Sequence, residues 1–315
     1  MPENEPYRWE GIVRARDVAD KIQHDWQAGI PAGQPTKWQS LNQHYLVKKK
    51  QWSVVTGIPS HGKSTWLDNA MIHWAELHNW KFLIVSPENQ PIERHVESLI
   101  EIHSGKQFTH PDTANIPRRA ITGDELGAST KFIDEHFRFI NPEETEFNID
   151  YLLELAYQVK HHADDPFEFD GLVFDPYNEL EHKRPNAMSE VEYISWILGR
   201  VRRFVKIEDC HLWFVAHPTK QREIARKDES DPRIAKLYAK PSLYDIAGAA
   251  HWYNKCDMGV VVYRNVDQTP ETTTIDIQKV RYRECGSKGS VELYYDFLCN
   301  RFVEREDELL WHRSR

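Results

Sequence analysis

Several features that would point to a membrane, secreted or zinc-stapled protein are missing from this sequence. No apolar run approaches the roughly 20 residues that a bilayer-crossing helix needs. The first ten residues, MPENEPYRWE, hold neither a basic leader nor an apolar stretch, so no secretory signal is expected, and the reading is a soluble cytoplasmic protein. Cysteine is scarce: Cys210, Cys256, Cys285 and Cys299 lie far apart and form no C-x-x-C pair. That argues against a zinc site or a disulfide framework and for reduced thiols. Positive charge is also short. A formal net charge of -9 argues against coating nucleic acid by bulk attraction, while leaving room for a local basic channel. There is no internal repeat and no low-complexity segment.

What is present is a chain of 315 residues, 40% hydrophobic and 28% charged, enough for one large domain with an appendage. Residues 1–35 stand apart from the rest. RARDVADKIQHDWQAGIP puts Ala15, Val18, Ala19, Ile22 and Trp26 on one helical face and ends at Gly29 and Pro31. One short helix cannot bury that stripe alone, so it lies on its own domain or docks on another subunit.

From residue 36 to 315 strand and helix signals alternate. WSVVT, KFLIVS, FRFI, GLVFD and HLWFVA read as strands, with helical stretches between them that include YLLELAYQV and the run from Ser189 to Glu208. Near-continuous apolar strands alternating with helices imply an α/β fold with a mostly parallel sheet flanked by helices. MGVVVYR, TTTIDIQKVRY and SVELYYDF, linked by short turns, suggest antiparallel edge strands at the C-terminal side.

GIPSHGKST follows WSVVT directly and fits G-x-x-x-x-G-K-[ST], with Gly57, Gly62, Lys63, Ser64 and Thr65 at the nucleotide-contacting places. In such a strand–loop–helix unit the backbone N–H groups cradle phosphates. Lys63 reaches the β and γ oxygens, and the Ser64 hydroxyl holds Mg²⁺. The expected cofactors are therefore ATP, or another NTP, and Mg²⁺. A second magnesium-side group should end a parallel strand, and GLVFD supplies Asp175. The next residue is Pro176, which cannot activate water. The general base is therefore assigned to Glu88, in the loop after KFLIVS, on the expectation that this strand and GLVFD neighbour the glycine-loop strand. Glu179 is the second candidate. His217 ends HLWFVA, where a polar side chain can touch the γ-phosphate on one side and the following loop on the other.

Together these segments resemble the RecA-like ATPase of DnaB-like replicative helicases, nearest to the Twinkle and phage primase–helicase branch. GIPSHGKST looks like its Walker A segment, LIVSPEN like the motif with the catalytic glutamate, LVFDPYNEL like Walker B and FVAHPTK like the γ-phosphate-sensing strand end. IQKVRYRECGSKG is similar to its K-x-R motif, and PSLYDIAGAAHWYNKCDMGVVVYRN to the segment ending in Arg-Asn. The resemblance implies that Glu88 is the catalytic base and His217 the sensor. It implies that Lys279 and Arg281 act in a neighbouring subunit's site, with Arg283 a competitor on the same strand face. It places the adenine between Arg264 and Tyr294 or Tyr295. The family's Arg-Gly-Ser turn is replaced here by Ile246-Ala247-Gly248-Ala249, and no zinc-binding or primase segment precedes the ATPase, so primer synthesis is not expected.

Residues 218–240 carry seven basic and four acidic side chains, a net +3. Beside the sensor, such a loop can grip single-stranded DNA, with Lys220, Arg222 and Lys227 as leading contacts and Lys183 and Arg184 as a second candidate pair. Phosphate contacts of this kind are salt-dependent and blind to sequence. The resemblance implies an ATP-dependent helicase moving 5′→3′ in a bacterial or phage-infected cell, with primase or polymerase partners. An arginine useful only in trans implies a homo-oligomeric, hexameric or heptameric, ring with Trp26 and Ile22 as anchors. Two other readings are a RecA, KaiC or RadA-like ATPase that remodels DNA or a partner without processive unwinding, and a slow nucleotide-gated scaffold.

Overall fold

The computed structural model describes residues 12–141, 147–219, 223–224 and 237–309. Five strands, β1 (Trp52–Thr56), β2 (Phe82–Val85), β3 (Phe137–Ile140), β4 (Gly171–Phe174) and β5 (His211–Ala216), alternate with helices. The helices between them are α2 (Lys63–His78), α3 (Ile92–Ser104), α4 (Gly123–His136), α5 (Ile149–His161) and α6 (Glu190–Ile207). A short α1 (Ala19–Ala28) precedes them. A two-residue ladder of β6 (Glu223–Ile224) and β7 (Leu237–Tyr238) and a short α7 (Ala249–Lys255) follow. The chain then finishes in β8 (Met258–Asn265), β9 (Thr272–Val280), β10 (Gly289–Asp296) and β11 (Arg301–Val303).

The main sheet has the order β11-β10-β9-β8-β1-β5-β4-β2-β3. From β3 to β8 neighbouring strands are parallel, and β9, β10 and β11 continue the edge antiparallel. Two details differ from the sequence reading. MGVVVYR belongs to the parallel part, paired with β1, so the antiparallel extension begins only at β9. β5 lies between β1 and β4, and β2 lies beyond β4, so neither KFLIVS nor GLVFD neighbours the glycine-loop strand.

Strand alternation divides the core into two layers. Val55, Phe82, Ile84, Trp213 and Val215 face the side covered by α2, α3 and α4, where Trp66, Trp74 and Trp80 pack with Trp38. Trp52, Val54, Leu83, Val85, Phe174 and Phe214 face the side covered by α5 and α6, where Leu152, Ile197, Val201 and Trp252 pack. The stripe Trp66, Leu67, Ala70, Met71, Trp74 and Ala75 is fully buried, which fixes α2 across the sheet with its N-terminus at the strand ends.

Helix α1 behaves differently. It has no buried residue, and Ile22 and Trp26 are 57% and 82% exposed. An apolar stripe left in water is the feature that a docking partner would remove.

Candidate nucleotide site

The site begins where β1 runs into the glycine loop. A Cβ on Gly57 would lie 2.1 Å from the carbonyl oxygen of Val262 on β8, so only glycine allows the loop to leave the sheet there. Gly62 has φ +85°, the left-handed conformation that turns the chain into α2. These constraints aim the first turn of a 16-residue helix, with its free N–H groups, at the C-terminal ends of the parallel strands. Lys63 is buried, and its Nζ donates to the Ile58 carbonyl at 3.2 Å. Burial lowers its pKa, while the charges of Asp175 and Glu88 pull the other way. The two carboxylates thus favour the charged form of an ammonium that burial disfavours.

Asp175 follows the last residue of β4 and is 4% exposed. Burial pushes its carboxyl up to about 6; the Ser64 hydroxyl and Lys63 lower it, while the charges of Asp68 and Glu88 raise it. Among the described residues its Oδ1 has no hydrogen-bond partner. A buried carboxylate oxygen without a partner, set against a serine hydroxyl, is a hard oxygen donor set, and it fits Mg²⁺. Ser64 and Asp175 would hold that ion, which when bound neutralises phosphate charge.

Glu88 reaches this centre although β2 is not beside β1. Its Oε1 lies 3.1 Å from Nε2 of His217, the residue after β5. His217 is fixed by its backbone N–H, which donates to Oδ1 of Asn178 at 2.8 Å. The ends of β1, β4, β5 and β2 therefore bring Lys63, Asp175, His217 and Glu88 to one place. Glu179 sits in a one-turn helix, Tyr177–Glu179, that Pro176 separates from Asp175. Asn178, Asp68 and its partner His95 escape a reading of the sequence, because each looks locally like an ordinary polar residue.

Arg264 and Tyr295 line one pocket of about 330 Å³ with Thr272, Thr273 and Phe297, at the glycine-loop end of β8. The Arg264 guanidinium pairs with Glu271 at 2.5 Å, and its backbone N–H donates to Nδ1 of His61 at 3.0 Å. Tyr294, next to Tyr295 on the same strand, does not line that pocket. Burial and the charges of Lys63 and Arg264 push the His61 imidazole down to about 4, so it is neutral at physiological pH.

Lys279 and Arg281 stand at the opposite end of the sheet. The Arg281 N–H donates to the Asp257 carbonyl, and the Asp257 N–H donates to the Trp52 carbonyl, so Arg281 is level with the start of β1. Gly57 is five residues further along, about 17 Å at roughly 3.3 Å per residue. The Arg281 guanidinium is held by the carbonyl of Asn254 at 2.6 Å and by Asp257 at 3.3 Å, and Lys279 donates to the Tyr253 carbonyl. Only Lys279 lies on β9, which ends at Val280; Arg281 follows it, and Arg283 opens a one-turn helix, Arg283–Cys285. Its expected place on the same strand face is corrected accordingly. Of the expected DNA contacts, Lys220, Arg222 and Lys227 lie outside the described residues, whereas Lys183 and Arg184 are exposed in the loop that follows Tyr177–Glu179.

The glycine loop and the strand ends around it have the geometry of a P-loop on an α/β sheet, and the fold is that of the RecA-like ATPase domains of DnaB-like helicases. One solved ATPase domain of this kind superposes with a TM-score of 0.68 at 16% identity, covering 94% of this chain and 100% of that one. The structure of a DnaB-like replicative helicase and its interactions with primase gives 0.66 at 16% identity, over 94% of this chain and 68% of that one. In sequence, the chain is 35% identical over 298 residues to the Twinkle homolog protein, chloroplastic/mitochondrial, of Arabidopsis thaliana. That match takes in 93% of this chain and 40% of the relative, so the chain spans less than half of the relative's length. The resemblance to the Twinkle branch of DnaB-like helicases, read from the motifs, is borne out. No protein-family model matches the chain.

Proposed function

We propose that this protein is an ATP-dependent replicative DNA helicase that assembles as a ring, translocates 5′→3′ on single-stranded DNA and separates the duplex. MgATP binds between the glycine loop and Asp175. Glu88 takes a proton from the attacking water, and His217, within hydrogen-bond reach of Glu88, reports the γ-phosphate to the segment that follows it. The observation that carries the reading is the position of Arg281, about 17 Å down the sheet from Gly57 and level with Trp52. From there it is useful to a neighbour's nucleotide rather than its own, which calls for a head-to-tail assembly, in this reading closed into a ring.

Residues 1–35 act as a docking segment for the RecA-like domain of residues 36–315, and the exposed Ile22 and Trp26 of α1 are the anchors in this reading. In this reading single-stranded DNA is gripped by Lys220, Arg222 and Lys227, with Lys183 and Arg184 as a second pair. The adenine lies between Arg264 and Tyr295. Partners at the replication fork, a primase or polymerase, are part of the proposal, as is a soluble compartment where DNA is copied. Among the described residues no helix is long and apolar enough to cross a membrane.

The test is strand displacement on forked DNA with ATP and Mg²⁺, removing each single-stranded tail in turn. Loss of activity only when the 5′ tail is removed supports the proposal. ATPase stimulated by DNA but without displacement on any fork would favour a RecA, KaiC or RadA-like remodeller instead.

A further inference from the structure

Beneath the nucleotide site lies a buried ion pair that the reaction as described does not use. Asp68 is on α2, four residues after Ser64, so the two side chains share one helix face. His95 is in the first turns of α3, the helix entered directly from the loop that carries Glu88. Nε2 of His95 lies 3.0 Å from Oδ1 of Asp68, and the two side chains are 4% and 8% exposed. The imidazole also packs edge-on against Phe139 of β3 at 5.4 Å. Burial works against a charged imidazole, but the charge and hydrogen bond of Asp68 outweigh it and raise the pKa of His95. Asp68 is near enough to Asp175 for its charge to raise that carboxyl as well.

A pair in this place has two consequences. It ties the glycine-loop helix to the helix that anchors the Glu88 loop, across elements that are not neighbours in sequence. It also sets the local charge balance, because Asp68 adds a third carboxylate to Asp175 and Glu88, and His95 offsets it. Packing alone does not require charge here. Apolar residues of similar volume often replace a buried ion pair without loss of stability.

We propose that Asp68 and His95 form a positioning pair for the metal and γ-phosphate end of the site, fixing the Glu88 loop against α2 and setting the potential felt by a cation between Ser64 and Asp175. This rests on the reading of Glu88 as the base and of Ser64 and Asp175 as the cation's holders.

The experiment uses the full chain and two readouts. The first is the Mg²⁺ midpoint for equilibrium binding of a fluorescent, non-hydrolysable ATP analogue. The second is kcat and KM for ATP. His95→Gln leaves the Asp68 charge unbalanced and should lower the Mg²⁺ midpoint at least about threefold, whereas Asp68→Asn should raise it by a similar factor. Both should lower kcat about tenfold while KM stays within about twofold, as expected of groups that place the base. Midpoints that do not move, or that move in the same direction in folded protein, would overturn the proposal.

Should either single variant fail to fold, Asp68→Leu with His95→Phe keeps the packing without the charges. That double variant should melt at or above the wild-type temperature, with kcat about tenfold lower and the midpoint within about twofold of wild type, because the two opposite charges leave together. A wild-type kcat in that stable double variant would show that the pair only fills space. Glu88→Gln run in parallel separates the two readings. If it hydrolyses ATP at the wild-type rate, the base assignment fails, while the Mg²⁺ midpoints still judge the pair.

Discussion

Replacing Asp175 by Asn should stabilise the nucleotide-free protein while abolishing its activity. Burial lifts this carboxyl from an ordinary 3.8 to about 6, so at pH 7.5 the folded protein holds a carboxylate that its surroundings disfavour. That displacement corresponds to roughly 3 kcal/mol, the upper limit of what Asn can recover. The sign follows from the raised value. Below about pH 4 the group is protonated in both folded and unfolded chains and costs nothing. As the pH rises through about 6 the folded state loses the advantage of holding the proton, and the full cost is present above that. Thermal unfolding in EDTA at pH 7.5 should show Asp175→Asn melting on the order of 5 °C above wild type, with the gap closing toward pH 4. With MgATP present the order should reverse, because only the wild type gains binding energy from the ion. A variant that melts below wild type in EDTA, or at the same temperature at both pH values, would refute the argument that this side chain is strained in readiness for a cation.

Other expectations follow from the same geometry. Glu88→Gln should lower DNA-stimulated ATPase by about 10²–10⁴-fold with nucleotide binding retained, measured by phosphate release beside equilibrium titration. Arg281→Ala should lower kcat by about 10³–10⁵-fold without changing the affinity of the protomer for ATP, because its guanidinium is level with Trp52 rather than Gly57. Deleting residues 1–30, or replacing Trp26 by Ala, should lower assembly and ATPase together in sedimentation and turnover assays, since Trp26 is 82% exposed. Truncated protein that stays in rings at full turnover would end the docking idea.

The parts legible in the sequence are those with a local cause. The glycine loop is read directly because the Val262 carbonyl leaves no room for a side chain at Gly57 and the left-handed turn at Gly62 favours glycine. Strands such as FLIV and GLVF are buried on both faces and therefore appear as unbroken apolar runs. Strand order is not legible, because it depends on how the crossovers pack, and β5 inserts between β1 and β4 with no mark in its own residues. Glu88 nonetheless lies beside His217, since both follow parallel strands that open at the same end of the sheet. Arg283 reads as continued strand because of R-Y-R, whereas the ladder stops at Val280 and the chain turns to bury Cys285. The Asp68–His95 pair leaves no trace, because 27 residues separate its members and each sits on a helix as an ordinary polar residue.

The central claim is that each catalytic centre is shared between protomers, and subunit mixing tests it most directly. Lys63→Ala removes the nucleotide site but leaves Arg281, and Arg281→Ala removes the guanidinium but leaves the nucleotide site. Each alone should be inactive. Mixed in equal amounts under conditions of subunit exchange, they should recover turnover at about a quarter of their interfaces, where an intact site meets an intact arginine. Mixed rings that remain inactive, or Arg281→Ala protein that hydrolyses ATP at the wild-type rate by itself, would contradict the account.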